Sequence, residues 1–205
     1  MKGINEHVNS RRYEGFPIFT IACYLYLPMK TLLNNDQLNI TLQWLAHQLV
    51  ENHLSFSDTV IIGIQPRGIY MSDRIAQMVK KITGNKNIAY GKLDITFYRD
   101  DVHKSDIHVP SYTDVPFSIE GKNVVLIDDV LHTGRTIRSA MDALIDFGRP
   151  KKVELLVLIE RHFSRELPVQ PDYVGQTVDT ILTQKIKVYW KEKDGKDEVV
   201  LIDNA

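Results

Sequence analysis

The fold is decided by residues 124–136, which read Val-Val-Leu-Ile-Asp-Asp-Val-Leu-His-Thr-Gly-Arg-Thr. The first four residues are apolar, and a strand that is buried on both faces of a parallel sheet needs no alternation of apolar and polar residues. We expect this strand to end where Asp128 and Asp129 begin. Carboxylates are rarely buried without partners, so this pair is expected to meet sugar hydroxyls, a divalent cation, or both.

The second half of the same stretch is typical of a phosphate-binding loop. Thr133, Gly134, Arg135 and Thr136 offer backbone N–H groups, two hydroxyls and a guanidinium. A helical pattern of apolar residues begins at once, at Ile137, Ala140, Met141, Leu144 and Ile145. The free amides and the dipole at the start of such a helix would bind a phosphate group.

Patterns elsewhere in the chain predict further helices. Asn34 followed by Gln37 predicts a capped helix start. The buried face of that first helix is expected to consist of Leu38, Leu42, Leu45 and Leu49. A second helix is expected from about Ile69, with Ile75, Val79 and Ile82 pointing inward. Gly148 and Pro150 are expected to end the helix that follows the phosphate loop.

The predicted strands alternate with these helices. We expect strands at Thr59 to Ile64, at about 90–98 with Leu93, Ile95 and Phe97 alternating, and at Val153 to Ile159. This order predicts an α/β fold with a central parallel sheet flanked by helices, and a ligand at the carboxyl edge of the sheet. A terminal β-hairpin is expected at Asp194-Gly195, between strands at Lys187 to Glu192 and Glu198 to Ile202.

Two segments fall outside the regular alternation of strands and helices. Residues 99–118 form a long polar stretch, and we interpret it as a flexible lid. Residues 160–185 are expected to form a small C-terminal hood.

Length and composition restrict the kind of protein. The chain has 205 residues, of which 43% are hydrophobic and 25% charged, with a net charge of −1. This suits one globular domain and gives no bulk attraction to nucleic acid, so an RNA site would have to be a local basic patch. We expect residues 31–205 to be the domain and residues 1–30 to be an extension, whose disorder is a hypothesis. No apolar stretch approaches the length of a membrane span. The single cysteine, Cys23, fits a reducing cytoplasm.

Several motifs together resemble the PyrR family, a branch of the type I phosphoribosyltransferases that combines pyrimidine-operon regulation with uracil phosphoribosyltransferase activity. These motifs are the signature at 124–136, Gly63 to Tyr70, Asp94 to Asp101, Met141 to Leu144 with Gly148 to Pro150, and Arg165 to Pro168. The resemblance covers about residues 32–203 with the order preserved.

The resemblance implies a glycosyltransferase of the pentosyltransferase type. Uracil and phosphoribosyl pyrophosphate (PRPP) would give UMP and diphosphate, as in pyrimidine salvage, with Mg²⁺ brought in largely on PRPP. Asp128 and Asp129 would meet the ribose hydroxyls directly or through Mg²⁺. The loop Gln65, Pro66, Arg67 and Gly68 would hold the diphosphate. The whole nucleotide-binding run would be Asp128, Asp129, Val130, Leu131, His132, Thr133, Gly134, Arg135 and Thr136.

Three further assignments follow from the resemblance. Arg99 would swing towards the diphosphate when the lid closes, and with Arg67, Asp128 and Asp129 it makes up the candidate catalytic set. Asp100 and Asp101 either take part in the lid or only solvate it. Uracil would bind near Glu160 and Arg161.

The resemblance also implies regulation by a pyrimidine mRNA leader and assembly as a homodimer or a higher homo-oligomer. Regulatory members use a basic face on the first helix. This chain keeps His47 there, but it has Gln43 where a small hydroxyl residue is expected and Asn52 where a basic residue is expected. Six other basic residues either form a local RNA-binding patch or are only part of a solvated surface: Lys151, Lys152, Arg161, Arg165, Lys185 and Lys187. The alternative to the enzyme is therefore an RNA-binding attenuation regulator with only vestigial catalysis.

Two other classes of protein fit the sequence less well. A nucleotidase of the P-loop type would need a Gly-x-x-x-x-Gly-Lys-Ser/Thr motif, which the chain lacks. A purine phosphoribosyltransferase, or a PRPP-binding protein without enzymatic activity, would not explain the Arg-Glu-Leu-Pro run at 165–168.

Overall fold

The computed structural model describes residues 29–100, 111–181 and 183–203. Its main sheet has five parallel strands in the order β3-β2-β4-β5-β6. The strands are β2 (Thr59–Ile64), β3 (Tyr90–Leu93), β4 (Asn123–Leu131), β5 (Lys152–His162) and β6 (Tyr173–Asp179). The predicted α/β class with a central parallel sheet is confirmed.

A smaller antiparallel sheet contains both ends of the described chain. Its strands are β1 (Met29–Leu33), β7 (Gln184–Tyr189) and β8 (Glu198–Asp203), in the order β1-β8-β7. The predicted terminal hairpin is confirmed, although its first strand ends at Tyr189. A four-residue helix, α4 (Lys191–Asp194), occupies the connection and ends at Gly195, whose φ of 76° is left-handed.

Three longer helices cover the main sheet: α1 (Asn35–His53), α2 (Gly68–Thr83) and α3 (Arg135–Leu144). The predicted cap of α1 is present, because the Gln37 N–H donates to Asn34 Oδ1 at 2.9 Å and the Asn34 N–H donates to Gln37 Oε1 at 3.0 Å. All four leucines predicted on the inner face of α1 are buried. None of the helices in the described ranges is long and apolar enough to cross a membrane.

The main sheet separates two cores, as expected for a strand buried on both faces. Val125 and Ile127 of β4 belong to the core shared with α1, α2 and the small sheet. Val124 and Leu126 belong to the core on the side of α3. The uninterrupted apolar run that begins β4 is explained by these two contacts.

Strand and helix ends differ from the predictions in several places. Strand β4 does not end at Asp128, because β5 continues beside it and pairs as far as Leu131 with Glu160. Strand β3 ends at Leu93, and residues 96–98 form a short 3-10 turn that leaves Phe97 exposed. Ile82 was predicted to be inward, but 39% of it is exposed at the end of α2.

The apolar periodicity of α3 was also extended too far. Met141 and Ile145 are exposed, and residues 145–147 form a 3-10 turn before Gly148. The hood is only partly a separate segment, because Tyr173–Asp179 forms the fifth strand of the main sheet by pairing with β5. Residues 1–28, and residues 101–110 of the predicted lid, lie outside the described residues, while Met29 and Lys30 begin β1.

The cap of α1 generates a test of the fold. Replacing Asn34 with alanine should lower the free energy of unfolding by about 1 kcal/mol, since Ala leaves the Gln37 N–H without its side-chain acceptor. Urea denaturation of both proteins would measure the difference. Gln43→Ala, at an exposed position of the same helix, is the matched control and should change stability by less than about 0.5 kcal/mol. An equal effect of both substitutions would contradict the importance of the cap.

Candidate active site

Two adjacent carboxylates lie buried at the carboxyl end of β4. Asp128 and Asp129 are 6% and 8% exposed, and Asp128 Oδ1 accepts the Asp129 backbone N–H at 2.9 Å. Burial raises the pKa of Asp128 well above its ordinary value, and the negative charge of Asp129 raises it further, against the opposing charge of Arg99. Burial also raises the pKa of Asp129, and Arg67 opposes that shift. Such a pair would be stabilised by a cation or by hydroxyl donors.

The loop after β2 brings a guanidinium to this pair. Arg67 Nε lies 3.4 Å from Asp129 Oδ2, and Arg67 Nη2 lies 3.3 Å from Asp194 Oδ2. The same Nη2 donates to the Val188 carbonyl oxygen. Arg67 is therefore held between the acid pair and the small sheet.

Helix α2 begins in direct contact with β4, and this contact requires a glycine. A Cβ atom at Gly68 would lie 2.7 Å from the Ile127 carbonyl oxygen and 3.0 Å from Asp128 Cα. Neither backbone atom can move without moving the strand that presents the acid pair. Glycine at position 68 therefore lets α2 begin directly against β4.

The other two residues of this loop behave differently from Arg67. The Gln65–Pro66 peptide bond is cis. The Gln65 side chain is buried, and its Nε2 donates to the Tyr112 carbonyl oxygen at 2.8 Å, so it holds the segment that follows residues 101–110. The Gln65 backbone N–H donates to the Leu93 carbonyl oxygen at 2.9 Å, so both its side-chain amide and its N–H are engaged within the protein.

The phosphate loop encloses a cavity of about 220 Å³ next to the acid pair. Gly134 has a φ of 93°, which favours glycine, and helix α3 begins directly after it. The cavity is lined by Arg99, Asp128, Val130, Leu131, His132, Thr133, Gly134, Arg135, Thr136 and Ile137. The structure therefore brings together Arg99, one of the two acids and most of the predicted nucleotide-binding run.

The rim of this cavity is a cluster of charged side chains. Arg135 Nε lies 2.7 Å from Glu166 Oε2, and Arg135 Nη1 lies 2.6 Å from Asp100 Oδ2. Asp100 also pairs with Arg138 at 3.2 Å. Asp100 therefore contacts α3 and does more than solvate its loop, whereas Asp101 lies outside the described residues.

A second cavity, of about 380 Å³, lies beside the first at the end of β5. It is lined by Glu160, Arg161, His162, Phe163, Arg165, Pro168, Val169 and Gln170. Arg165 joins the two cavities, because its Nη2 donates to Glu160 Oε1 at 2.9 Å and its Nη1 donates to the His132 carbonyl oxygen.

Arg161 and His132 lie near this second cavity, and contacts within the protein determine the position of the first and the pKa of the second. The Arg161 guanidinium is buried and donates to Thr180 Oγ1 at 3.0 Å and to the Gln184 carbonyl oxygen at 2.9 Å. It thus fastens the connection between β6 and β7. Burial, together with the positive charges of Arg161 and Arg165, lowers the pKa of His132.

Sequence reasoning missed the contribution of the β7–β8 connection to the site. Asp194 was interpreted only as part of a turn, and Trp190 was not singled out. Asp194 contacts Arg67, and Trp190 is fully buried in the core that the small sheet shares with α2. The acidic composition of residues 192–198 was the only available signal, and it carries no information about which helix the connection meets.

Known proteins resemble this chain in sequence. A family model described as "Phosphoribosyl transferase domain" matches residues 28–193. A curated relative named "Bifunctional protein PyrR" from Elusimicrobium minutum is 45% identical over 174 residues, which are 84% of this chain and 96% of the relative. Another of the same name from Halalkalibacterium halodurans is 47% identical over 160 residues, 77% of this chain and 88% of the relative.

Solved structures show the same fold at low sequence identity. A hypoxanthine phosphoribosyltransferase from Trypanosoma cruzi has a TM-score of 0.65 at 16% identity and covers 84% of this chain and 90% of its own. One from Staphylococcus aureus has a TM-score of 0.61 at 17% identity and covers 85% of this chain and 92% of its own. At such identities the likeness concerns the fold alone.

The contact at Gly68 generates a test of the site. Gly68→Ala should lower the free energy of unfolding by about 1–3 kcal/mol, because the added methyl group cannot fit against β4 without a backbone shift. It should also weaken the binding of inorganic pyrophosphate, measured by calorimetry. Gly84→Ala is a control in open space with a positive φ, and it should cost about 1 kcal/mol without affecting pyrophosphate. Unchanged stability and binding in Gly68→Ala would contradict the assigned contact.

Proposed function

The chain belongs to the phosphoribosyltransferase family and, within it, to the PyrR group, and we propose that it joins uracil to PRPP to form UMP and diphosphate. The observation that carries this proposal is the order of groups along one edge of the sheet. Arg67 contacts Asp129 of the buried acid pair, and the phosphate cavity adjoins Asp128. These groups match the diphosphate, the ribose and the 5-phosphate of PRPP.

Each end of PRPP has a suitable anion site in this arrangement. The backbone amides at the start of α3, with Thr133 and Thr136, would bind the 5-phosphate. The loop 65–68 would bind the diphosphate through the backbone amides of Arg67 and Gly68 and through the Arg67 guanidinium, whose planar fork suits phosphate oxygens. Binding at both ends fixes the sugar between them.

The acid pair would act on the ribose. Its carboxylates would accept hydrogen bonds from the ribose hydroxyls and stabilise the positive charge that develops on the ring as the bond to diphosphate breaks. Negative charge grows on the leaving diphosphate at the same time, beside Arg67. Arg99, which lines the phosphate cavity, would help to exclude water from the reacting carbon.

The residues present fit a magnesium ion that arrives with PRPP. Asp128 and Asp129 supply oxygen donors in a buried position where negative charge is costly, which is the donor chemistry that Mg²⁺ prefers. When bound, the ion would neutralise charge on the diphosphate.

The cavity at the end of β5 is the proposed uracil site. It adjoins the phosphate cavity through Arg165 and His132, and Pro168 and Val169 give it an apolar wall. Arg161 would shape this cavity by holding the β6–β7 connection, and Glu160 would act by orienting Arg165. Base recognition would then depend mainly on backbone groups.

A panel of nucleobases tests the proposed reaction. Incubation with PRPP, Mg²⁺ and uracil should yield UMP and diphosphate, detected by chromatography. Hypoxanthine, guanine and adenine should give no nucleotide under the same conditions. Turnover with hypoxanthine but none with uracil would refute the assignment.

The acid pair predicts the effect of a conservative substitution. Asp129→Asn keeps the shape of the side chain but removes the charge, so kcat with PRPP and uracil should fall by at least about 100-fold. The midpoint of thermal unfolding should stay the same or rise, since the substitution removes a desolvated charge. Asp142→Asn, an exposed acid on α3, is the matched control and should keep full turnover. Full activity of Asp129→Asn would exclude its role at the ribose.

Regulation of pyrimidine genes through RNA is the second candidate function. The printed name of the relatives, "Bifunctional protein PyrR", favours it. His47 is exposed on α1, but Asn52 donates to the Tyr173 hydroxyl at 3.0 Å, and Lys152 pairs with Glu154 at 2.5 Å. These two side chains are therefore engaged within the chain, which favours the enzyme over the regulator.

An RNA titration separates the two functions. If the chain regulates, the leader of its own pyrimidine operon should bind more tightly in the presence of UMP, and its affinity should fall as salt rises. UMP formation without such binding would support the enzymatic function and exclude RNA regulation.

Sedimentation of the free protein would test whether it forms the homodimer or higher homo-oligomer that we propose from its family resemblance.

A further inference from the structure

The β7–β8 connection places three carboxylates against the first two turns of α2 and the residue before them. Arg74 Nε and Nη2 lie 2.9 and 2.8 Å from the two oxygens of Glu192, and Nη2 lies 2.7 Å from Asp197 Oδ1. The Arg74 guanidinium also stacks on the Trp190 ring at 5.1 Å. This connection is therefore fixed to α2 at a point beside, but separate from, the site at Arg67.

The third carboxylate, Asp194, engages the arginine of the diphosphate loop. Arg67 Nη2 donates to Asp194 Oδ2 at 3.3 Å and to the Val188 carbonyl oxygen, while Nε faces Asp129 at 3.4 Å. The side chains of Arg67 and Asp194 are only 29% and 17% exposed. Two of the three nitrogens of the guanidinium are thus directed at acceptors within the protein.

Asp194 is itself held in place for this contact. Its Oδ2 accepts the Trp190 backbone N–H at 3.0 Å. That hydrogen bond lowers the pKa of Asp194, burial opposes the shift, and the charge of Arg67 adds to it. An ionised carboxylate is therefore fixed within reach of Arg67 by a backbone contact that does not depend on any ligand.

We propose that Asp194 exchanges with diphosphate at Arg67: it competes with the diphosphate group for the guanidinium and takes the guanidinium over when diphosphate leaves. A partly buried guanidinium needs acceptors at all times. When diphosphate is absent, Asp194 and the Val188 carbonyl group supply them. When diphosphate binds, the negative charge of Asp194 beside it opposes the complex, so Asp194 weakens diphosphate binding and favours product release.

This inference rests on the proposed function only in using Arg67 as a ligand of diphosphate. The substitution that tests it is Asp194→Asn, which removes the charge but keeps an oxygen that can accept the Trp190 N–H. Calorimetry with inorganic pyrophosphate and Mg²⁺ on the full chain should show binding tightened by about threefold to tenfold. The KM for PRPP should fall, and the KM for uracil should not change.

Two controls separate exchange from a general effect of charge. Glu192→Gln removes a carboxylate from the same connection, but Glu192 contacts Arg74 and not Arg67, so pyrophosphate binding should be unchanged. In an Arg67→Ala background, Asp194→Asn should no longer tighten binding, since the contested guanidinium is gone. Should Asp194→Asn fail to fold, Asp194→Ser keeps a side-chain oxygen and is expected to give the same tightening.

The pyrophosphate-binding measurements either support or overturn the exchange at Arg67. Unchanged or weaker pyrophosphate binding in the folded Asp194 variant would overturn the exchange, and so would equal tightening in Glu192→Gln. The measurement uses pyrophosphate without any nucleobase, so its result does not depend on which base the enzyme uses. If the variants show the predicted pyrophosphate effects but the wild-type protein makes no UMP, the proposed function is refuted and the exchange stands.

Discussion

The burial of two adjacent carboxylates at the end of β4 constrains the rest of the structure. Uncompensated charges in such a position are costly, so every neighbouring element must supply a cation, a hydrogen-bond donor, or room for a ligand that does. The loop after β2 supplies Arg67, and the segment after β3 supplies Arg99, whose charge opposes the raised pKa of Asp128. The pair is thus the point at which the loop after β2 and the segment after β3 meet the end of β4.

The close contact at Gly68 explains how these loops reach the pair. Because residue 68 has no Cβ atom, α2 can begin against the backbone of β4. Arg67 then lies within ion-pair distance of Asp129. The small sheet closes the arrangement from the other side, through Asp194 and the Val188 carbonyl group. Its hairpin is therefore part of the environment of the loop 65–68 and not only an addition to the fold.

Much of this arrangement follows from local sequence, and the reasons are physical. The apolar run of β4, the cap at Asn34 and the glycine before α3 act over a few residues, so their patterns predict the elements correctly. The end of β4 was wrong because it depends on the length of β5, a distant partner. Residues 173–179, which lie inside the predicted hood, depend on the same partner, since pairing with β5 makes them a strand of the main sheet.

The candidate site also contains residues that local motifs identify and residues whose roles depend on contacts distant in the sequence. The acid pair, Arg67 and the loop 133–136 stand out in the sequence because each motif combines residue types that suit one part of PRPP, and the structure brings them close together. Asp194 was missed because its role depends on a contact with Arg67 that crosses most of the chain. The internal bonds of Gln65 and Arg161 were missed likewise, since a polar side chain beside a site can serve either the ligand or the fold.

The most direct test of the central claim is a crystal structure of the protein with UMP, pyrophosphate and Mg²⁺. The 5-phosphate of UMP should accept hydrogen bonds from the amides of residues 133–136, and its ribose hydroxyls should lie within hydrogen-bond distance of Asp128 or Asp129, or share a magnesium ion with them. Pyrophosphate should contact Arg67. A nucleotide whose phosphate lies away from the start of α3, or whose ribose does not approach the acid pair, would contradict the account.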